Sequence, residues 1–390
     1  MKPLAVGSGR VWWPRGPAQA NGALLLATLL TALVSGCGPT EPRHAGKSLS
    51  TWFDEAVEVG HPRQFAEIRE AFSEFEGDAI AFLVGQIESG LVAPPQATNA
   101  WLIDRAVGAL ENLGFRAPPG DPWERTHIAF DLLRFIATQQ RELFEAGVLS
   151  PKPSITNAFP LLQRVLLSGE PGEALSTIQA AGPLAVEFLP ELRQRLISAG
   201  AEDPNLVLVM LAMGRMGVAA VPDIPLLSAV AGDAGRPLGQ RCWAADALGR
   251  FGPASQAAAP VITDLLLEAS APASDALPLP HLATTVTALA SVGTTPDAAV
   301  PVLRRLTLST NERVRAAASI ALWNRQPEDA RLNSEISGAL TSTNPGPTVQ
   351  ILSRLGANAS VFASQIQALT NHADPFVRLP AARVLRLGAR

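Results

Sequence analysis

A six-residue phrase recurs through this chain: small residue, large apolar residue, two variable residues, apolar residue, glycine. It reads Ala109-Leu110…Leu113-Gly114, Thr177-Ile178…Ala181-Gly182, Ala212-Met213…Met216-Gly217, Ala247-Leu248…Phe251-Gly252, Ala288-Leu289…Val292-Gly293 and Ile351-Leu352…Leu355-Gly356. Degenerate copies stand at Ala71-Phe72…Phe75, Ala321-Leu322 and Val384-Leu385. Counted on the second residue, the spacings are 38, 68, 35, 35, 41, 33, 30 and 33. The longest is twice 34, which predicts one more unit with a blurred phrase near Leu133. A period of this size over most of a chain means stacked supersecondary units rather than one globular core.

The punctuation defines the unit. In four consecutive copies a proline follows the glycine by eight residues: Gly182 to Pro190, Gly217 to Pro225, Gly252 to Pro260 and Gly293 to Pro301. Glycine ends a helix by taking a left-handed conformation without steric cost. Proline near the start of the next helix sacrifices no hydrogen bond, because that N–H has no partner anyway. The segments between have helical period. Val314, Ala317, Ala318, Ala321 and Leu322 fall on one face, as do Val377, Pro380, Ala381, Val384 and Leu385. Val261, Ile262, Leu265 and Leu266 make a second apolar face after Pro260. Each unit is two short antiparallel helices that bury their faces only by stacking. The prediction is an all-α solenoid of about nine to ten helix pairs over residues 65–390.

Among helical repeats, the tetratricopeptide pattern requires a tyrosine, and the chain has none. The ankyrin phrase T-P-L-H-x-A is absent. What remains resembles the HEAT family, in its shorter variety related to the repeats of phycobilisome lyases. Gln240-Arg241, Val314-Arg315 and Val377-Arg378 carry or approach the Val-Arg phrase of that family, and Asp374 to Ala382 is the nearest match. Pro380 departs from it and should kink its helix. The resemblance implies a right-handed, armadillo-like superhelix. It also implies that Arg241, Arg315 and Arg378 are structural, bonding carbonyls or Asp side chains.

The N-terminus makes a second statement. Lys2, Arg10 and Arg15 precede any acidic residue, and an apolar run of 12 follows from Ala23 to Val34. That length suits a signal-peptide core and is short for a bilayer span. It closes on Val34-Ser35-Gly36-Cys37, which resembles the bacterial lipobox. The resemblance implies a signal peptide over 1–36, lipidation of Cys37, and a chain held in the cell envelope by its acyl groups. Gly38, in place of a retention aspartate, favours outer-membrane delivery. The alternative is an ordinary secretory signal with a cysteine placed by chance. Residues 37–47 read as a tether and 48–64 as a capping segment. Ser48 or Ser50 would cap a helix through Trp52, Phe53 and Val57. The phrase Gly46-Lys47-Ser48-Leu49-Ser50-Thr51-Trp52 resembles the opening of other bacterial HEAT-repeat proteins.

No catalytic pattern appears. The five histidines, His44, His61, His127, His281 and His372, stand at no metal-binding spacing, and HExxH is absent. No metal, other cofactor or catalytic residue is expected. Cys242 occupies the slot of Ala316 and Leu379, so it reads as a packed small residue, with a reactive thiol beside Arg241 as the alternative. Met210, Met213 and Met216 form a stripe that reads as core. Sparse aromatics and export argue against nucleic acid. Without residues 1–36 the chain carries 28 basic and 35 acidic residues, a net charge of −7. Residues 37–200 hold 13 basic against 21 acidic, whereas 301–390 hold 11 Arg against 5 acidic. Nine of those arginines, Arg383 and Arg386 among them, read as free charge able to steer an acidic partner, or as the polar cap a terminal repeat requires. The expected function is a membrane-tethered, non-catalytic scaffold for a protein partner. The competing reading is a lyase-like or chaperone-like handler of a small ligand around Cys242 or His281. Intact-mass analysis of the membrane fraction should show a lipidated chain that begins at Cys37, and Cys37→Ala should block processing. A wild-type chain recovered soluble from the periplasmic wash would contradict this.

Overall fold

The computed structural model describes residues 41–60, 62, 65–92, 122–145, 147, 154–168, 171–270 and 279–388. The signal segment, Cys37, His61, the phrase at Ala109 to Gly114 and Arg390 lie outside the described residues. The protein is an all-α solenoid. A two-strand hairpin, β1 (Arg43–His44) and β2 (Lys47–Ser48), leads into α1 (Leu49–Val59) and α2 (Ala66–Val92). Seven helix pairs follow. Their inner members are α3 (Pro122–Glu145), α5 (Gly172–Ala181), α7 (Leu206–Arg215), α9 (Leu238–Arg250), α11 (Leu279–Ser291), α13 (Glu312–Arg325) and α15 (Gly346–Leu355). The outer members are α4 (Phe159–Leu166), α6 (Leu189–Ser198), α8 (Ile224–Gly232), α10 (Ala259–Ala269), α12 (Val300–Leu306), α14 (Ala330–Leu340) and α16 (Ala363–Leu369). The single helix α17 (Pro375–Gly388) ends the array, and its helix runs on through Pro380. With α2 in front and α17 behind, the described residues form nine units.

The apolar faces read from the sequence are the buried ones. Val314, Ala317, Ala318 and Ala321 are fully enclosed on α13, as are Ile262, Leu265 and Leu266 on α10. Inner helices meet through small residues. A Cβ on Gly214 would lie 2.9 Å from Cα of Ala247, and one on Gly249 would lie 2.7 Å from Cα of Ala288. These backbones nearly touch, whereas the outer helices are held apart by leucine and isoleucine. The array therefore bends toward its inner face.

Two of the glycine turns differ from the left-handed cap expected of them. Gly182 has φ 55°, ψ −121° and Gly356 has φ 59°, ψ −126°. The positive φ is as anticipated, but ψ lies outside the left-handed helical basin, in territory that glycine alone enters freely. A seven-residue 3₁₀ stretch fills the eight-residue spacing to proline at Gly182–Phe188, Gly217–Asp223 and Gly252–Ala258; Gly356–Phe362 repeats it without the proline, and the Gly293 copy keeps only the short turn Asp297–Ala299. Its three-residue period buries the third and sixth residues after glycine, as with Ala185 and Phe188, or Ala359 and Phe362. Gly252 has a second constraint, because a Cβ there would sit 2.2 Å from the carbonyl oxygen of Arg354.

The unit expected near Leu133 exists, but α3 is 24 residues long and Leu133 is buried in its middle. The positive-φ turn comes only at Gly147 (φ 71°), after the end of α3, and the 3₁₀ stretch at Ser154–Ala158. In the degenerate first copy the glycine slot is held by Glu76, which breaks α2 at φ 38°, ψ −101°. It copies the glycine conformation with a side chain that strains it.

Part of the stretch read as a tether is folded. The turn at Ala45 (φ 49°) and Gly46 (φ 82°) pairs Arg43 with Ser48 and His44 with Lys47. Lys47 Nζ meets Glu55 at 2.6 Å and lies over the Trp52 ring, and Trp52 Nε1 donates to the His44 carbonyl at 3.1 Å. Ser48 caps α1 by accepting from the Thr51 N–H. The Gly-Lys-x-Leu-Ser-x-Trp phrase thus builds a lid that seats Leu49, Trp52 and Phe53 in the core.

Two substitutions should move stability in opposite directions. Glu76→Gly should stabilise by about 1 kcal/mol through relief of the positive φ. Gly252→Ala should cost more than about 2 kcal/mol, since a methyl there meets both backbone strain and the Arg354 carbonyl. Denaturant midpoints check both, and a Gly252→Ala chain as stable as the wild type would contradict the contact.

Candidate functional site

The hairpin stack gives the molecule two edges. On one, outer helices end and inner helices begin. Large apolar side chains stand exposed there: Leu91, Trp123 (67%), Leu167, Ile197, Leu308 (79%) and Phe376 (70%). Such side chains scattered singly are ordinary, but a series on one edge marks a contact surface. A groove of about 390 Å³ opens beside Leu308, between α13, α14 and the start of α15. Its polar groups are already paired. Ser319 Oγ donates to Glu335 at 3.1 Å, Arg331 Nε meets Glu335 at 2.9 Å, Asn344 Nδ2 donates to Glu312 at 2.9 Å, and Arg315 donates to the Ser309 carbonyl at 2.7 Å.

At the opposite edge the inner helices end, and the array closes on itself. Asp246 on α9 is buried and meets Arg250 at 2.7 Å and Arg354 of α15 at 3.4 Å, a contact across 108 residues. Farther along, Arg386 of α17 donates to the Glu145 carbonyl at the end of α3, and Arg383 lies 3.8 Å from the Glu145 carboxylate. Burial alone would raise the Asp246 carboxyl, but Arg250 and Arg354 more than offset it and hold its pKa at about 2. Arg354 itself is pushed down to about 10 by burial, which outweighs the attraction of Asp246. One carboxylate shared by two enclosed guanidinium groups is well stabilised, while the guanidinium groups are only partly compensated.

The residues singled out in the sequence are distributed as follows. Cys242 is fully buried, and its thiol is pushed up by desolvation ahead of the opposing influences of Thr285 and Arg241. His281 lies on the neighbouring helix, its ring over Gly239, and its Nδ1 is enclosed without a hydrogen-bond partner. Arg241 donates to the Ala231 carbonyl in the last turn of α8, and Arg315 and Arg378 donate to the carbonyls of Ser309 and His372 in the loops before their helices. Met210, Met213 and Met216 are core. His127 packs edge-on against exposed Trp123 and meets Glu173 at 2.8 Å. Among the described residues, no three His, Cys, Asp or Glu side chains gather as a metal site.

The nine arginines counted as free charge in residues 301–390 are largely engaged. Arg305 donates to the Ser270 carbonyl, Arg325 pairs with Asp297, Arg331 pairs with Glu335, and Arg354, Arg383 and Arg386 join the closure. Sequence reading missed a different pattern. The residue two before the repeat glycine is arginine in four units, Arg215, Arg250, Arg354 and Arg386, and these are the side chains that the bend brings together.

No known protein family's sequence pattern matches the chain, and no curated protein matches it. The crystal structure of Kap121p aligns over 96% of this chain and 49% of its own, at 12% identity and a TM-score of 0.31. The chain spans about half the length of that protein.

Because the Asp246 pKa lies below the ordinary carboxylate value, the unfolded chain takes up this proton before the folded one does. Its stabilisation is complete above about pH 4 and is lost as pH falls through about 2. Asp246→Ala should cost about 3 kcal/mol, since it leaves two buried guanidinium groups unmatched, and should flatten the acid limb of stability against pH. Chemical unfolding between pH 2 and pH 7 reads both; an unchanged acid limb would contradict the assignment.

Proposed function

We propose that the protein is a lipid-tethered, non-catalytic scaffold of the cell envelope that holds a protein partner along its apolar edge. The observation that carries this is the series of exposed side chains from Leu91 to Phe376 on one edge. The groove beside Leu308, with its polar walls already paired, offers a recess for a partner side chain. Tethering rests on the sequence ending in Cys37 and requires no further span. Among the described residues no helix is long and apolar enough to cross a membrane. The ligand-handling alternative needs a groove around Cys242 or His281, and Cys242 is enclosed. Arg383 and Arg386 belong to the closure at the opposite edge, and the scaffold reading does not depend on them.

Serine at Trp123, Leu308 and Phe376 together should leave the thermal transition nearly unchanged, because exposed positions contribute little to stability. It should abolish recovery of the partner that crosslinks to the wild-type chain in its own membrane. A control chain with serine at Val186, Val218 and Val361, which are exposed in the 3₁₀ turns of the other edge, should keep that partner. Equal recovery by both variants would overturn the assignment of this edge.

A further inference from the structure

The closure gathers more positive charge than it matches. Arg141, Arg215, Arg250 and Arg354 come from four inner helices, and Arg313, Arg383 and Arg386 stand around them. Among the described residues, Asp246, Glu142 and Glu145 oppose these seven. Several have structural employment. Arg141 Nη1 donates to the Ala180 carbonyl at 2.9 Å, Arg386 to the Glu145 carbonyl, and Arg250 and Arg354 share Asp246. Arginine in a last helical turn ordinarily serves such carbonyls.

Arg215 does not. It makes no hydrogen bond or ion pair among the described residues, and its Nε is shut off from solvent without a partner. The Nε of Arg141 is likewise enclosed without a hydrogen-bond partner, 3.8 Å from the Glu145 carboxylate. Burial, then Arg250, Arg141 and Arg354, push the Arg215 pKa down to about 9, opposed by Glu145, and Glu142 is also close enough to interact with it. At neutral pH the group is still charged, so the fold holds a cation with no direct partner, offset only in part by Glu142 and Glu145, next to three others. Part of the Arg215 side chain remains in contact with solvent, which leaves a solute a way to it.

We propose that this cluster is a binding site for a small polyvalent phosphate-type oxyanion, with Arg215 as its principal ligand. Guanidinium forks match the oxygen spacing of a phosphoryl group and bind it in pairs. A monocarboxylate would offset one charge, whereas a phosphoryl group with two or more charges offsets the excess. The site lies at the end of the inner helices opposite the apolar edge, so it stands independently of the scaffold reading.

Calorimetric titration of the full-length chain in mild detergent with sodium tripolyphosphate, at constant ionic strength, tests this directly. The wild type should bind it where matched sodium chloride gives no signal. Arg215→Met should weaken binding at least tenfold while melting, without ligand, no lower than the wild type, because the unmatched charge is gone. Arg331→Met, at an exposed arginine of α14, should bind as the wild type does. Binding by Arg215→Met equal to that of the wild type, or no binding by the wild type, would overturn the proposal. An Arg215→Met chain that fails to fold would show the guanidinium to be structural and would overturn it as well.

Discussion

The close approach of the inner helices is the constraint from which the remaining architecture follows. Glycine and alanine at their crossings let backbones meet at distances no larger residue permits, as at Gly214 on Ala247 and Gly249 on Ala288. Outer helices, packed through leucine, isoleucine and phenylalanine, cannot approach as closely. A stack that is narrow on one side and wide on the other must bend, and here it bends far enough for α17 to reach the end of α3. Interiors are close-packed, so this curvature is fixed by volume rather than by a soft preference. The Asp246 triad and the contact of Gly252 with the Arg354 carbonyl are consequences of that bend.

Closure has an electrostatic cost that a straight array would avoid. Arginines at helix ends are harmless on an open surface, where water screens them. Brought together on the inside of a coil, they lose hydration and repel one another. Asp246 absorbs part of this, and the carbonyl ends of α3 and α5 absorb more, through Arg386 and Arg141. Arg215 is left over. The two edges therefore differ: one carries the exposed leucine and aromatic side chains and the groove beside Leu308, whereas the other holds the drawn-in charges, with Val186, Val218 and Val361 exposed in its turns.

Much of this was legible in the sequence because it is local. The glycine phrase located the ends of the inner helices, the prolines located the starts of the outer ones, and the Val-Arg slot located arginines that bond neighbouring carbonyls. What was missed was either cryptic or distant. Glu76 takes a glycine conformation without being glycine, so the first unit looked merely degenerate. Extension of α3 to 24 residues moved its turn well past Leu133, where the regular spacing had placed it. Local periodicity does not encode contacts across 108 or 241 residues, so Arg354, Arg383 and Arg386 read as free charge when they are the closure itself. Their common slot with Arg215 and Arg250 was visible, but its meaning depends on the curvature.

Curvature is therefore the claim to measure. Spin labels at Phe144→Cys on α3 and Arg383→Cys on α17 sit seven inner-helix steps apart along the array. At about 9 Å per step, an uncoiled stack would separate them by about 60 Å. Pulsed dipolar spectroscopy on the doubly labelled chain should instead give one narrow distribution at well under half that span. A broad distribution centred near the uncoiled distance would contradict closure, and with it the gathering of the arginines.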